Sequence, residues 1–438
     1  MLSKFSVENF HSIQDEIMIS FNFPVNRAHS FRQNILYEYF DSCKRCIMNG
    51  GIIFGANASG KTNLIKAMQI LRAIIENSYK FNSLEDVKVD WEVFLLGENK
   101  NYATHFCIEW VLILDNTEYL VNYDLSINVE TFSIEREKLT YKEILKTKVG
   151  PSIVLFEREN NQVLNYDIQI HNIIKKVEMG NIVHKTLLSL INNDVNENYF
   201  SIETNSFEYK LIKMIYDECV YKIIFSNHSA SRQFMNSLNH NTEYRKYILK
   251  NLRKFDFAIK DFEIEDISDD MIETFERTFI PEEIKKGFIN TLKKQRAYRI
   301  SIIHYIYDNK TVIPLKDESN GTKKFLNQSF TMYEALIKNG LYVADEFENA
   351  YHYRIQEGII NNFINQDGHA QFLIVSHNPL LMSKELFSKE QILLLEKDRD
   401  KEFTKSYQLS DFNVSYNNHN WINLYCNGRF GAVPEVLY

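Results

Sequence analysis

Residues 55–62 read Gly-Ala-Asn-Ala-Ser-Gly-Lys-Thr, and no other stretch limits the possible fold so strongly. The octet follows Met48-Asn49-Gly50-Gly51-Ile52-Ile53-Phe54, a short apolar run of strand character. From Thr62 to about Tyr79 the pattern is helical, with Leu64, Ile65, Met68, Leu71, Ile74 and Ile75 on one side. Gly-x-x-x-x-Gly-Lys-Thr between a strand and a helix turns backbone N–H groups inward around phosphate oxygens, and the helix start adds about half a positive charge. With only 14 glycines in 438 residues, a chance glycine cluster in this context is a poor account. Gly55, Asn57, Ser59, Gly60, Lys61, Thr62 and Asn63 are therefore the expected phosphate cradle. Lys61 would reach the β- and γ-phosphates, and the Thr62 hydroxyl would ligate Mg²⁺.

Two further segments have the form of a buried strand that ends in polar chemistry. Leu341-Tyr342-Val343-Ala344 runs into Asp345-Glu346. That pattern presents Asp345 to Mg²⁺ and leaves Glu346 to polarise an attacking water as general base. Phe372-Leu373-Ile374-Val375 runs into Ser376-His377-Asn378, with room after Glu346 for one helix and one strand. A neutral imidazole at His377 would hydrogen-bond a γ-phosphate. Before both, Glu318-Ser319-Asn320-Gly321-Thr322 opens a helical pattern through Phe325, Phe330 and Leu336. Ser319 and Gly321 at a helix start read either as an ordinary N-cap or as a second anion site.

The remaining organisation is consistent with an α/β chain. Residues 2–23 alternate apolar and polar as two strands, and residues 106–166 read as a meander of antiparallel strands. Three segments follow: 1–169, a lobe with the glycine-rich loop and antiparallel strands; 170–300, a mainly helical insertion; and 301–438, a second lobe with Ser319, Asp345 and His377. No apolar run is long enough for a membrane span, and the start lacks the core of a signal peptide. The cysteines, Cys43, Cys46, Cys107, Cys219 and Cys426, are odd in number and show no paired framework, which suggests a reduced, cytoplasmic setting. Cys43 and Cys46 form a lone C-x-x-C without a partner motif for zinc, and read as ordinary thiols. A net charge of −8 argues against a wholesale nucleic-acid coat. Two basic-aromatic stretches, Tyr244–Lys254 and Lys293–Arg299, read as a groove for DNA, a docking face for protein, or solvated helix faces.

Together the four motifs resemble those of the ATP-binding-cassette ATPases, in particular the SMC/RecF-like branch. Phe5-Ser6-Val7-Glu8-Asn9-Phe10-His11-Ser12 looks like that branch's opening hairpin. Leu155-Phe156-Glu157-Arg158 and Gly428-Arg429-Phe430-Gly431-Ala432-Val433-Pro434 look like a narrower group of prokaryotic stand-alone ATPases, which includes ATPase subunits of anti-phage systems (the AriA of PARIS and PtuA of Septu type). The departures are Ser319-Asn320-Gly321-Thr322 where transporters have Leu-Ser-Gly-Gly-Gln, and Tyr351-His352-Tyr353 where the branch often has Leu-His-Pro.

The resemblance implies a P-loop ATPase head using ATP and Mg²⁺. It also implies that Ser319 and Gly321 of one subunit close on the γ-phosphate held by another, so that the chain forms a homo-oligomer through in-trans sites. Its expected role is to sense a phage trigger and to hold or release a separate effector nuclease. No Toprim, H-N-H, H-E-x-x-H or G-x-S-x-G pattern is found, so cutting would fall to a partner. The alternatives are a RecF-like DNA-repair ATPase that binds DNA directly, and a nucleotide-locked assembly protein with little turnover.

Overall fold

The computed structural model describes residues 1–25, 33–39, 44–89, 91–95, 102–171, 174–175, 182–193, 206–226, 241–255, 259–294, 297–306, 309–348, 351–398, 400–416 and 420–434. The chain divides into two compact units. The first comprises Met1–Ile224, Ala335–Glu348 and Ile359–Tyr438, and the second comprises Phe225–Glu334 and Asn349–Gly358. The segment 170–300 is shared between them. Its helix Phe207–Tyr221 belongs to the first unit, and its helix Thr242–Lys254 to the second.

The first unit is an α/β fold with an antiparallel β lobe and a parallel-sheet lobe, as expected. Its antiparallel sheet has seven strands, in the order Gln162–Tyr166, Ile153–Glu159, Ser133–Ile144, Thr117–Asn128, Ala103–Leu114, Leu2–Glu8 and Ile17–Ser20. Alternation along these strands sends Phe5, Val7, Ile108, Trp110, Val121 and Tyr123 inward, all nearly inaccessible to solvent. In Ile153–Glu159 the register shifts between Val154 and Phe156, so that Leu155 and Phe156 are both buried and Arg158 points inward opposite Glu137. The Arg158 Nε lies 3.5 Å from the Glu137 carboxylate, and both side chains are fully buried. Glu137 also accepts from Tyr123 Oη and from the backbone N–H groups of Leu187 and Leu188. A buried ion pair is tolerated when such further donors share the negative charge.

The second sheet has six strands, in the order Ile223–Phe225, Leu341–Ala344, Gln371–Val375, Gly50–Gly55, Ile392–Lys397 and Thr404–Gln408. Gly50–Gly55 lies between Gln371–Val375 and Ile392–Lys397 and is parallel to both. Every residue of Gly50–Gly55, Gln371–Val375 and Leu341–Ala344 is buried, which is why these strands read as unbroken apolar runs. Gln371 ties the two sheets together. Its Oε1 accepts from Leu2 N at 2.6 Å, and its Nε2 donates to Leu2 O and Met48 O. The helix Lys61–Asn77 buries Leu64, Ile65, Met68, Leu71, Ile74 and Ile75, the face expected from its spacing. Each such Leu or Ile contributes about 1.5–3 kcal/mol relative to exposure.

The second unit is less purely helical than expected. It holds a three-stranded antiparallel sheet of Asp261–Asp266, Tyr298–Ile306 and Asn309–Pro314. Around it lie the helices Thr242–Lys254, Ser268–Glu276 and Glu282–Lys294, and most of Asn320–Lys338. In the first basic-aromatic stretch the rings and Arg245 are used in internal packing, whereas Lys246, Lys250, Arg253 and Lys254 are exposed. The rings of Tyr244 and Tyr247 lie 4.0 and 4.8 Å from that of Tyr333, and Arg245 donates to Asp261 and to Phe262 O. Lys246 pairs with Glu243. In the second stretch, Tyr298 and Arg299 lie on a strand, whereas Gln295 and Arg296 fall outside the described residues. Cys43 also falls outside them, and burial pushes the Cys46 thiol up to about 12. No helix among the described residues is long and apolar enough to cross a membrane.

Candidate functional site

The site forms where the parallel strands end, the edge at which open α/β sheets bind ligands. Gly55 closes the central strand. A Cβ there would stand 2.3 Å from Leu395 O, so only glycine lets the loop leave so close to the neighbouring strand. Gly60 starts the helix with a left-handed φ of 94°. A side chain at that position would strike Thr404 Oγ1 at 2.3 Å and Ser12 Oγ at 2.9 Å. Ser12 and Thr404 are themselves 2.8 Å apart, and Asn63 Nδ2 donates to Ser12 Oγ. The turn at Asn9–Ser12 and the strand Thr404–Gln408 thus meet on the glycine-rich loop.

The Lys61 ammonium folds over that loop. It donates to Ala56 O at 2.6 Å, to Gly55 O at 3.0 Å and to Ser59 Oγ at 3.3 Å. Asp345 directly follows the buried strand Leu341–Ala344, and Glu346 takes a left-handed φ of 47° with its N–H donating to Asp345 Oδ1. Phe347 N donates to Val375 O, and His377 N donates to Glu348 Oε1 at 2.8 Å. These bonds lock the loop after Leu341–Ala344 to the loop after Gln371–Val375. A cavity of about 770 Å³ opens beside them, and its lining includes Asn57, Ser59, Gly60, Lys61, Thr62, Asn63, Asp345, Glu346 and His377. Every residue around it belongs to the first unit.

Most of the expected site residues therefore face one cavity. Gly55 lies behind it in a packing role. Ser319 and Gly321 belong to the second unit. Ser319 Oγ accepts from Thr322 N at 3.1 Å and caps the helix Asn320–Lys338. Pattern reading passed over three contributors: Glu348, Ser12 and Thr404. Glu348 stands two residues past the acidic pair, and that adjacency was its only signal. Ser12 and Thr404 carry no local signal, because their place depends on tertiary pairing.

The donor set fits Mg²⁺. Thr62 offers an exposed hydroxyl and Asp345 a carboxylate, hard oxygen ligands of the kind that bind this ion together with water and phosphate oxygens. Among the described residues no group of three or more His, Cys, Asp or Glu side chains is placed to hold a metal. A wall of Val93, Phe94 and Leu95 gives the cavity an apolar side.

Burial lowers the Lys61 ammonium to about 8, and the carboxylates of Asp345 and Glu348 oppose that shift. A bound phosphate would meet the charged form. Above pH 8, binding must therefore take up a proton, and affinity for a nucleoside triphosphate falls as pH rises, approaching roughly tenfold per pH unit well above that value. Calorimetric titrations in buffers of different ionisation enthalpy would reveal the proton taken up. An affinity flat from pH 7 to 9.5 would contradict this account of Lys61.

A family model described as "AAA domain, putative AbiEii toxin, Type IV TA system" matches residues 220–383. No curated protein matches the chain. Among solved structures the chain is similar to the SMC head domain from Thermotoga maritima, with a TM-score of 0.37 and 12% identity over 93% of this chain and 98% of that one. It is also similar to the Smc head domain with an extended coiled coil, bound to the C-terminal domain of ScpA, from Pyrococcus furiosus. There the TM-score is 0.37 and the identity 13%, over 94% of this chain and 97% of that one.

Proposed function

We propose that this protein is an ATPase that hydrolyses ATP to ADP and phosphate. One observation carries the reading: Lys61, Thr62, Asp345, Glu346 and His377, from three different strand ends, surround a single cavity. Lys61 holds the β- and γ-phosphates by exchanging its loop carbonyls for phosphate oxygens. Thr62 and Asp345 hold Mg²⁺, which when bound neutralises charge on the phosphates. Glu346 takes a proton from the attacking water, and the His377 imidazole hydrogen-bonds the γ-phosphate. Glu348 keeps the His377 backbone beside Glu346.

Two copies are proposed to share each nucleotide, with Ser319 and Gly321 of one chain closing on the γ-phosphate bound by the other. The assembly serves in anti-phage defence, where it senses a phage trigger and holds or releases a separate effector nuclease. The resemblance of the closing Gly428–Pro434 segment supports this reading, as does the toxin and type IV system named by the matching family model. The setting proposed is cytoplasmic. Direct action on DNA is disfavoured by the internal use of Tyr244, Arg245 and Tyr247.

Mixing tests the shared sites. Lys61→Ala and Gly321→Glu chains are each expected to be inactive. In a mixed dimer one site carries both defects and the other none, so part of the phosphate release should return. If differently tagged chains co-purify and no mixture ever releases phosphate, the in-trans arrangement is wrong.

A further inference from the structure

The second unit contains a groove of about 710 Å³ that the nucleotide chemistry does not use. Ile267, Ile300, Leu315 and Phe330 give it an apolar floor. Arg299, Lys316 and Lys323 stand around it, and no carboxylate lines it. Most of its lining comes from the strand Tyr298–Ile306, the turn Leu315–Asp317 and the helix Asn320–Lys338, with Ile267 and Pro314 added from the start of the helix Ser268–Glu276 and the end of the strand Asn309–Pro314. On that helix Lys323, Asn327 and Phe330 recur at a spacing that puts them on one face.

The charge is one-sided for local reasons. Asp317 adjoins Lys316 in the turn but does not line the groove, Glu318 pairs with His304 at 2.6 Å, and Glu265 pairs with one of the three cations, Arg299, at 3.2 Å with both side chains more than half exposed. Among the described residues neither Lys316 nor Lys323 has a carboxylate partner. In a chain of net charge −8, a cavity walled by three cations and no anion is a local reversal of sign.

We propose that this groove docks an acidic segment of a partner protein, with apolar side chains filling the floor and carboxylates meeting Arg299, Lys316 and Lys323. The proposal rests on the preceding reading only in supposing a separate protein partner. Peptide fits better than nucleic acid, because unpaired bases stack on open ring faces, whereas Phe330 is only 1% exposed and Tyr298, the other ring of the groove, is partly buried among an otherwise aliphatic floor. Exposed ion pairs give at most about 1 kcal/mol each, so the apolar floor supplies most of the affinity and the cations supply the choice of partner. Docking here also reaches the start of the helix Asn320–Lys338. Lys323 N donates to Ser319 O at 3.0 Å, so a segment gripping Lys323 and Asn327 bears on the helix turn capped by Ser319.

The full-length protein should be titrated against a short fluorescein-labelled peptide alternating Asp with Leu and Phe. The controls are the same peptide with Lys for Asp and a labelled single-stranded oligothymidylate. The acidic peptide is expected to bind about tenfold tighter than either control near physiological salt, and Lys316→Glu with Lys323→Glu should remove that preference. Asn327→Lys adds a cation to the same face and should tighten the acidic peptide alone, which guards against a charge reversal that merely unfolds the unit. Equal affinity for the two peptides, or an oligonucleotide preferred by the wild type and lost in the double variant, would overturn the proposal. Lys61→Ala should keep the peptide affinity. Peptide binding without any ATP hydrolysis would sink the ATPase reading alone, and hydrolysis without peptide preference would sink the groove alone.

Discussion

Lys61→Ala should leave a folded protein that no longer binds ATP at useful concentrations. The wild-type ammonium makes three hydrogen bonds inside the glycine-rich loop, and Lys61 as a whole is only 5% exposed. Removing the cation that meets the phosphates deletes one partner of a buried charge pair, a change worth roughly 2–5 kcal/mol, or on the order of 30- to several-thousand-fold in affinity. Two carbonyls and Ser59 Oγ also lose their donor, so the loop itself becomes less well held. Calorimetry with ATP and Mg²⁺ measures the loss, and thermal unfolding shows whether the fold survives. An affinity within a few-fold of wild type would remove Lys61 from the site.

Glu346→Gln separates binding from turnover. Glutamine keeps the size of the side chain and tolerates the left-handed backbone about as well as glutamate, so the bond from residue 346 N to Asp345 Oδ1 should persist. What disappears is the base. Turnover should fall by about 10²–10⁴ while ATP affinity stays within a few-fold of wild type. ATP should then persist on the protein, and light scattering should show the closed assembly accumulating. Phosphate release at the wild-type rate would assign the proton to another group.

How much of this was legible in the sequence depended on how local the physics was. The octet Gly55–Thr62 and the strand ends at Asp345 and His377 could be read because a parallel strand buried on both faces must be apolar throughout, so the first polar residue after it marks the ligand edge. The Ser319 cap could be read because it is settled within one helical turn. Ser12 and Thr404 could not, since their meeting over Gly60 is fixed by sheet registers far apart in the chain. The surroundings of Tyr244–Lys254 were hidden for a related reason. Cations beside aromatics look like a contact surface until Tyr333 and Asp261, which arrive from elsewhere in the sequence, take up those rings and the Arg245 guanidinium.

The company that Gly60 keeps has a consequence for biosynthesis. The central strand Gly50–Gly55 has its parallel neighbours at Gln371–Val375 and Ile392–Lys397, and Thr404 packs closely on Gly60 of the loop. A ribosome that has translated the first half of the message has therefore made the entire glycine-rich octet without any of the strands that flank it. Such long-range pairing is slow to form and cannot begin until the later segment emerges. On the proposed ATPase reading, a truncated translation product ending before residue 404 should bind nucleotide far more weakly than the full chain although it contains every residue of the loop.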